Sequence, residues 1–156
     1  CISPRTDKEV LDLFCSQSGY TAVLLHAVDP HGMDIYHTNV LMCIGSSFAV
    51  ICLDSIKDET EKQNVLSSFE STQKQVVTIS FDQMNHFAGN MLEVHNQSGE
   101  SLLVMSKSAW DSLTYEQKAI LSSFSKPVYA NISTIENNGG GSARCMIAEV
   151  HLPPIN

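Results

Sequence analysis

Apolar residues fall in short runs along the chain, and their spacing predicts several β-strands. Residues 39–44 and 48–53 are two such runs, and the link between them, Gly45-Ser46-Ser47, predicts a hairpin. Neither run alternates cleanly between apolar and polar positions, so both strands are expected to be buried on two faces. Similar short runs predict further strands at 20–28, 76–80, 90–94, 102–105, 127–132 and 145–152.

Three segments between these runs have the sequence features of helices. Two of them open with a Thr followed three residues later by Glu or Gln, a capping box that satisfies free backbone N–H groups. The third, residues 58–69, has a polar first half and apolar residues late in the segment. The capping boxes are Thr6 with Glu9, in a helix that ends at Gly19, and Thr114 with Gln117, in a helix that ends near Phe124.

The elements repeat in the order strand, strand, helix, strand. Similar letters open one strand of each repeat at Asn39, Asn90 and Cys145, with a period of about 50 residues. Repeats of this length are typical of modules arranged in a ring or a line. Equivalent residues in a ring face a common axis, so these three residues are expected to approach one another. Two whole modules and pieces of two others favour a chain that is part of a longer protein, as does its opening at Cys1 without Met.

Composition narrows the classes of function. Lys and Arg number 9 against 17 Asp and Glu, a net charge of −8, and such an acidic surface argues against nucleic-acid binding. No apolar run approaches the roughly 20 residues of a membrane helix, so no membrane association is expected. The five cysteines have no regular spacing, which favours a reducing, cytoplasmic compartment over a disulfide framework. No Cys or His pair has the spacing of a zinc site.

Cys145 is the leading candidate for a nucleophile. It follows a loop predicted at 137–141 with three consecutive glycines, whose backbone can turn tightly and present amide groups to a ligand or thiolate. Arg144 beside it could stabilise a thiolate, although neighbours in a strand point to opposite faces. From the local sequence alone, an inert buried cysteine on a strand is an equal alternative.

His37 is the candidate for proton transfer. It lies just before the buried run 39–44, where an imidazole at the end of a sheet could exchange protons near neutral pH. Taken alone, a solvated loop histidine is the simpler interpretation. Two carboxylates also stay open: Glu136 either reaches the site or is exposed in the loop, and Glu93 is expected to face solvent.

Three segments together, residues 37–40, 87–93 and 139–146, resemble the guanidine-modifying enzyme superfamily. That superfamily includes arginine deiminases, dimethylarginine hydrolases and amidinotransferases, and the branch that the chain resembles most is that of citrulline-utilisation hydrolases. The resemblance implies the pentein fold, an α/β propeller of five modules with the active site in its central channel. Residues 1–156 would form part of that catalytic domain, roughly its C-terminal half or a little more, with repeated ββαβ modules.

The resemblance implies a Cys-dependent hydrolase of a small molecule, either citrulline or an arginine derivative. Cys145 would attack the central carbon of the ureido or guanidinium group, and His37 would protonate the leaving group and then activate water. Asn39, Asn90 and Arg144 are predicted to bind substrate, and no metal or cofactor is implied. The family's acidic substrate-binding residues have no match here and would lie in modules N-terminal to this chain. An amidinotransferase, a non-catalytic binding protein and a homo-oligomer stay open.

Overall fold

The computed structural model describes residues 1–149, and its first element is a helix, α1 (Lys8–Ser18). The side chain of Asp7 accepts a hydrogen bond from a backbone N–H of the first turn, and Gly19 ends the helix in the left-handed conformation. The predicted helix and its end are confirmed, but the cap is Asp7 and not Thr6. No residue within α1 is buried.

The strand predicted at 20–28 is wrong. The first four residues of this segment are exposed, and it pairs only at its end, through the single bridges Ala27–Ile56 and Val28–Asp34. Apolar and β-branched residues favour a strand only where a neighbouring strand supplies hydrogen bonds and packing. Along most of this segment, no strand of the described chain lies alongside.

The first module is a mixed three-stranded sheet with one helix. A single helical turn, α2 (Thr38–Leu41), leads into β1 (Met42–Ile44), so the strand predicted from residue 39 begins three residues later. The predicted hairpin, the helix at 58–69 and the strand at 76–80 are confirmed. The remaining elements are β2 (Phe48–Ile51), antiparallel to β1 and buried on both faces, a 3₁₀ turn (Leu53–Ser55), α3 (Glu59–Ser71), and β3 (Gln75–Thr78), parallel to β2.

The second module repeats this order after a short helix, α4 (Phe81–Asn85). The predicted capping box of Thr114 with Gln117 is confirmed, and it begins the helix that was predicted to end near Phe124. Both sheets have the pairing that the predicted ββαβ repeat requires, one antiparallel and one parallel, although two helices instead of one join the last two strands of the second module. Its elements are β4 (Leu92–His95), β5 (Ser101–Ser106) antiparallel to it, α5 (Lys107–Ser112), α6 (Tyr115–Phe124) and β6 (Lys126–Ala130), parallel to β5.

The chain after the second sheet forms two short helical elements, α7 (Ser133–Gly139) and a 3₁₀ turn, Ala143–Met146. The loop predicted at 137–141 is therefore helical for its first half. The strand predicted at 145–152 is wrong over 145–149, and its last three residues lie outside the described residues. The Cys145 N–H donates to the Ser142 carbonyl at 3.0 Å, which curls the backbone into a turn instead of a strand.

Polar contacts fix the two modules against each other. The Gln117 side chain donates to the Thr78 carbonyl at 2.7 Å and accepts from the Gln83 amide at 2.6 Å. Glu93, expected to face solvent, instead accepts hydrogen bonds from the Ser46 backbone and from two serine hydroxyls of its own module. A site at the junction therefore has a fixed geometry. No helix within residues 1–149 is long and apolar enough to span a membrane.

Candidate active site

A cavity of about 480 Å³ lies where the two modules meet the final 3₁₀ turn. Four of the five predicted site residues line it: His37, Asn39, Asn90 and Cys145. The rest of the wall is largely apolar and includes the predicted glycine loop together with residues that were not predicted as site residues. These are Tyr36, Val40, Met84, Asn85 and Phe87, with the glycines at 139–141.

The Asn90 amide connects the three equivalent positions of the repeat. Its Nδ2 lies 3.2 Å from Cys145 Sγ and 3.2 Å from the carbonyl oxygen of Asn39, and it donates to both. The expected approach of these residues is confirmed, across 51 and 55 positions of the sequence. The sulfur also lies 3.6 Å from Asn90 Oδ1, so the same amide can contact it as donor and as acceptor. The catalytic and binding roles of the three residues stay predictions.

A tight turn before Asn90 sets the position of its amide. A Cβ at Gly89 would lie 2.4 Å from the carbonyl oxygen of Val40 and 2.9 Å from the carbonyl carbon of Leu41, so only glycine fits there. Phe87 has a φ of 64°, a left-handed conformation that is uncommon for a bulky residue. Its carbonyl accepts the N–H of Asn90 at 2.8 Å. The backbone at 87–90 is thus held against α2 and β1.

His37 caps the N-terminus of α2. Its Nδ1 accepts the backbone N–H of Asn39 at 3.3 Å, which orients the ring at the cavity wall. With Nδ1 as the acceptor, the neutral ring carries its proton on Nε2. The segment 37–41 was predicted to enter a strand, and the helical turn brings His37 and Asn39 to one side of the cavity.

The glycine loop packs directly on the candidate nucleophile. Gly140 ends α7 with a φ of 67°, and its N–H donates to the carbonyl of Glu136 at 3.2 Å. A Cβ at Gly141 would lie 3.2 Å from Cβ and 3.3 Å from Sγ of Cys145. A larger residue would push the thiol out of place. Cys145 itself is exposed, so a substrate in the cavity can reach it.

Two charged residues near Cys145 make contacts within the protein. Arg144 donates from Nη1 to the Met91 carbonyl at 3.4 Å, and the described wall of the cavity does not include it. Its predicted role in substrate binding stays a prediction. Glu136, left open by the sequence, is buried and accepts a hydrogen bond from the Ser142 hydroxyl at 2.7 Å.

Cys43 and Cys52 are buried, whereas Cys145 is exposed. Burial raises the pKa of Cys43 to about 12 and also raises the pKa of Cys52. Both therefore stay protonated near neutral pH and compete poorly as nucleophiles. Among residues 1–149, no three His, Cys, Asp or Glu side chains are grouped as a metal site would require.

Comparison with known proteins gives a family match and matches of fold among solved structures. A family described as N,N dimethylarginine dimethylhydrolase, eukaryotic, matches residues 1–152, whereas no curated protein matches the chain. The apo structure of ArgZ, an arginine dihydrolase from the ornithine–ammonia cycle in cyanobacteria, is similar with a TM-score of 0.68 and 15% identity. The match covers 92% of this chain but only 21% of that one. The likeness supports the α/β pentein fold expected from the sequence.

Proposed function

Because the chain belongs to the family of eukaryotic N,N-dimethylarginine dimethylhydrolases, we propose that it carries the nucleophile of an enzyme that removes dimethylamine from an N,N-dimethylated arginine. Family membership confirms the resemblance to guanidine-modifying enzymes and supports hydrolysis of a C–N bond as the reaction. The observation that best supports a cysteine mechanism is the cavity itself, which Cys145, Asn90 and His37 all line.

The first half of the proposed reaction forms a covalent intermediate. The Cys145 thiolate adds to the guanidino carbon, and the His37 imidazolium donates its proton to the dimethylated nitrogen. The C–N bond then breaks, neutral dimethylamine leaves, and a thiouronium stays on the sulfur. The Asn90 amide, 3.2 Å from Sγ, stabilises the thiolate before the attack.

The second half of the proposed reaction releases the product by hydrolysis. Neutral His37 accepts a proton from water as the water oxygen adds to the thiouronium carbon. The C–S bond breaks, Cys145 leaves as a thiolate, the oxygen loses its remaining proton to solvent, and citrulline is formed. Since His37 ends this step protonated, it is ready for the next cycle. The Nδ1 contact with the Asn39 N–H orients the neutral ring. The imidazolium carries a proton on both nitrogens, so this contact is released when His37 is protonated.

The composition of the cavity wall supports a methylated substrate. Val40, Met84 and Phe87 give the cavity an apolar surface beside its polar groups. Moving a methyl group from water onto such a surface contributes about 0.8 kcal/mol. A dimethylated guanidinium would therefore bind better here than an unmethylated one, provided that its methyl groups face this wall.

The proposal extends to the architecture around the site. We infer that the two ββαβ modules belong to a propeller whose other modules supply the carboxylates for the guanidinium. The chain spans about a fifth of the length of the arginine dihydrolase that it matches, which leaves room for such modules in a relative of that size. A cytoplasmic location and a homo-oligomer stay predictions.

Turnover of arginine derivatives tests the proposed function. The longest natural chain containing this segment is incubated separately with N,N-dimethylarginine, arginine and citrulline, and products are identified by mass spectrometry. We expect citrulline and dimethylamine from dimethylarginine, and a loss of at least about 1,000-fold in Cys145→Ser. Cys15→Ser is the matched control, because Cys15 is a free thiol in α1 outside the cavity.

Other products would change the assignment. Ornithine from citrulline would favour the citrulline hydrolase that the sequence also suggests, and citrulline from arginine would favour a deiminase. Unchanged turnover in Cys145→Ser would contradict the cysteine mechanism. No turnover by a folded full-length chain would favour a binding protein, because a fold does not dictate function.

A further inference from the structure

We propose that Glu136 is a positioning residue for Cys145 and acts through the hydroxyl of Ser142. The inference rests on the proposed function for its turnover measurement only, because the position of the thiol can be measured without turnover. Glu136 lies in α7 and Ser142 directly before the last 3₁₀ turn, on either side of the glycine loop.

The pair is buried and makes a short contact. Glu136 is 6% exposed and Ser142 0%, and the Ser142 hydroxyl donates to Glu136 Oε1 at 2.7 Å. Burying a carboxyl group costs free energy unless a hydrogen bond compensates it, and a single contact with a hydroxyl adds little net stability. Keeping this carboxylate buried is therefore better explained by the position that it gives to Ser142 than by stability.

The backbone of Ser142 is hydrogen-bonded directly to the backbone of the proposed nucleophile. The carbonyl oxygen of Ser142 accepts the N–H of Cys145 at 3.0 Å, and its hydroxyl donates to Glu136. Ser142 therefore links the carboxyl group of Glu136 to the backbone of Cys145. On the other side, the Glu136 carbonyl accepts the N–H of Gly140. Glu136 thus fixes the start of the glycine loop by its backbone and the end of the loop by its side chain.

Without this contact, the glycine loop would regain conformational freedom. Glycine has more backbone freedom to lose than any other residue, and two of them, Gly140 and Gly141, separate α7 from Ser142. The thiol would then leave the 3.2 Å contact with Asn90 for part of the time. A misplacement of about 1 Å at a reacting atom can lower a rate by about 100-fold.

Four variants of the longest natural chain containing this segment test the inference: Glu136→Ala, Glu136→Gln, Ser142→Ala and the double variant Glu136→Ala/Ser142→Ala. The rate of Cys145 alkylation by iodoacetamide is followed by peptide mass spectrometry, together with kcat and KM for dimethylarginine. Glu136→Ala and Ser142→Ala are each expected to lower the alkylation rate and kcat by about 10-fold or more, with KM changed less. Glu136→Gln keeps an oxygen acceptor and should restore most of both rates. The double variant should be no slower than either single variant, because both changes remove one contact.

A matched control separates this effect from loss of a carboxylate contact in general. Glu61 accepts the backbone N–H of His26 at 2.7 Å, far along the chain and outside the cavity wall, so Glu61→Ala should leave Cys145 alkylation unchanged. If Glu136→Ala does not fold by circular dichroism, Ser142→Ala, which removes one oxygen atom, and Glu136→Gln decide the question.

Three results would overturn the inference. Wild-type alkylation in Ser142→Ala and in any folded Glu136→Ala would show that the contact does not position the thiol. Normal alkylation with abolished turnover in Glu136→Gln would make the carboxylate a participant in the chemistry. Equal slowing in Glu61→Ala would show a general loss of rigidity. Slower alkylation without any turnover of dimethylarginine by the parent chain would contradict the proposed function and leave the positioning role intact.

Discussion

The side-chain amide of Asn90 donates to a sulfur and to a carbonyl oxygen at the same time. An amide is neutral, so it supports a negative sulfur without competing for its charge. A carboxylate of the same shape would place a like charge on the thiolate and would also face the carbonyl of Asn39 with no hydrogen to donate. In the proposed mechanism, asparagine at this position therefore keeps a second negative charge away from the sulfur.

Asn90→Asp should make the thiol less reactive near neutral pH. The added negative charge disfavours a thiolate beside it, so alkylation of Cys145 should be slower by about 10-fold near neutral pH in the pH profile of the reaction. The profile is measured with iodoacetamide and peptide mass spectrometry. Asn64→Asp, an exposed position in α3, is the control and should leave the profile unchanged. A profile that is unchanged in Asn90→Asp would contradict a direct contact between amide and sulfur.

At the scale of elements, local features were predictable and pairing was not. The cap of α6 and the end of α1 depend on residues within one helical turn, and the sequence identified both. A strand at 20–28 or 145–149 needs a neighbouring strand at hydrogen-bonding distance, and sequence composition does not reveal whether one is there. The two strands that were predicted wrongly are these two segments.

The candidate site was predictable where it follows the repeat. Asn39, Asn90 and Cys145 occupy equivalent places, so periodicity alone brought them together. The contact of Glu136 with Ser142 has no such marker, because an acidic residue before a glycine loop is equally typical of an exposed turn. The left-handed Phe87 was hidden for a related reason, since bulky residues rarely adopt that conformation.

Gly89 tests how closely the two modules approach. Gly89→Ala would place a Cβ 2.4 Å from the carbonyl oxygen of Val40, so backbone must move. We expect a loss of about 1–3 kcal/mol in the free energy of unfolding, measured by urea denaturation. Gly139→Ala is the control, because its Cβ would meet only the Ile135 side chain at 3.8 Å. Equal stability of Gly89→Ala and the parent would contradict the close approach.

At the scale of the whole molecule, the Glu93 carboxylate accepts hydrogen bonds from both modules. Partial burial alone would raise the pKa of its carboxyl, but hydrogen bonds from Ser125, Ser101 and Ser46 outweigh this effect and lower the pKa to about 2. Ser46 lies in the hairpin of the first module, and the two other serines belong to the second. The charged form is therefore favoured in the folded protein.

The carboxyl group of Glu93 should stabilise the folded protein near neutral pH and lose this effect in acid. Its pKa is lower in the folded than in the unfolded protein, so its stabilisation is present above about pH 4.5 and is lost as the pH falls towards about 2. Glu93→Gln should lower Tm at pH 7 and flatten the fall of Tm between these pH values, measured by calorimetry. Glu70→Gln, exposed at the end of α3, should do neither. If Tm of Glu93→Gln falls with decreasing pH as steeply as Tm of the parent, Glu93 is not the carboxyl group responsible for this acid dependence.

The hydrogen bond from Asn90 to Cys145 joins segments 55 residues apart, and its third partner lies in the first module. Proteins open in cooperative units, and a contact that spans several units is lost when any one of them opens. The contact at the sulfur is therefore present only when both modules and the last 3₁₀ turn are packed together. Exchange of the amide protons within one helix depends only on the opening of the unit that contains that helix. An open intermediate with both sheets intact would still lack this hydrogen bond. If Cys145 is the nucleophile proposed above, a partly folded chain gains its activity only when its last segment docks.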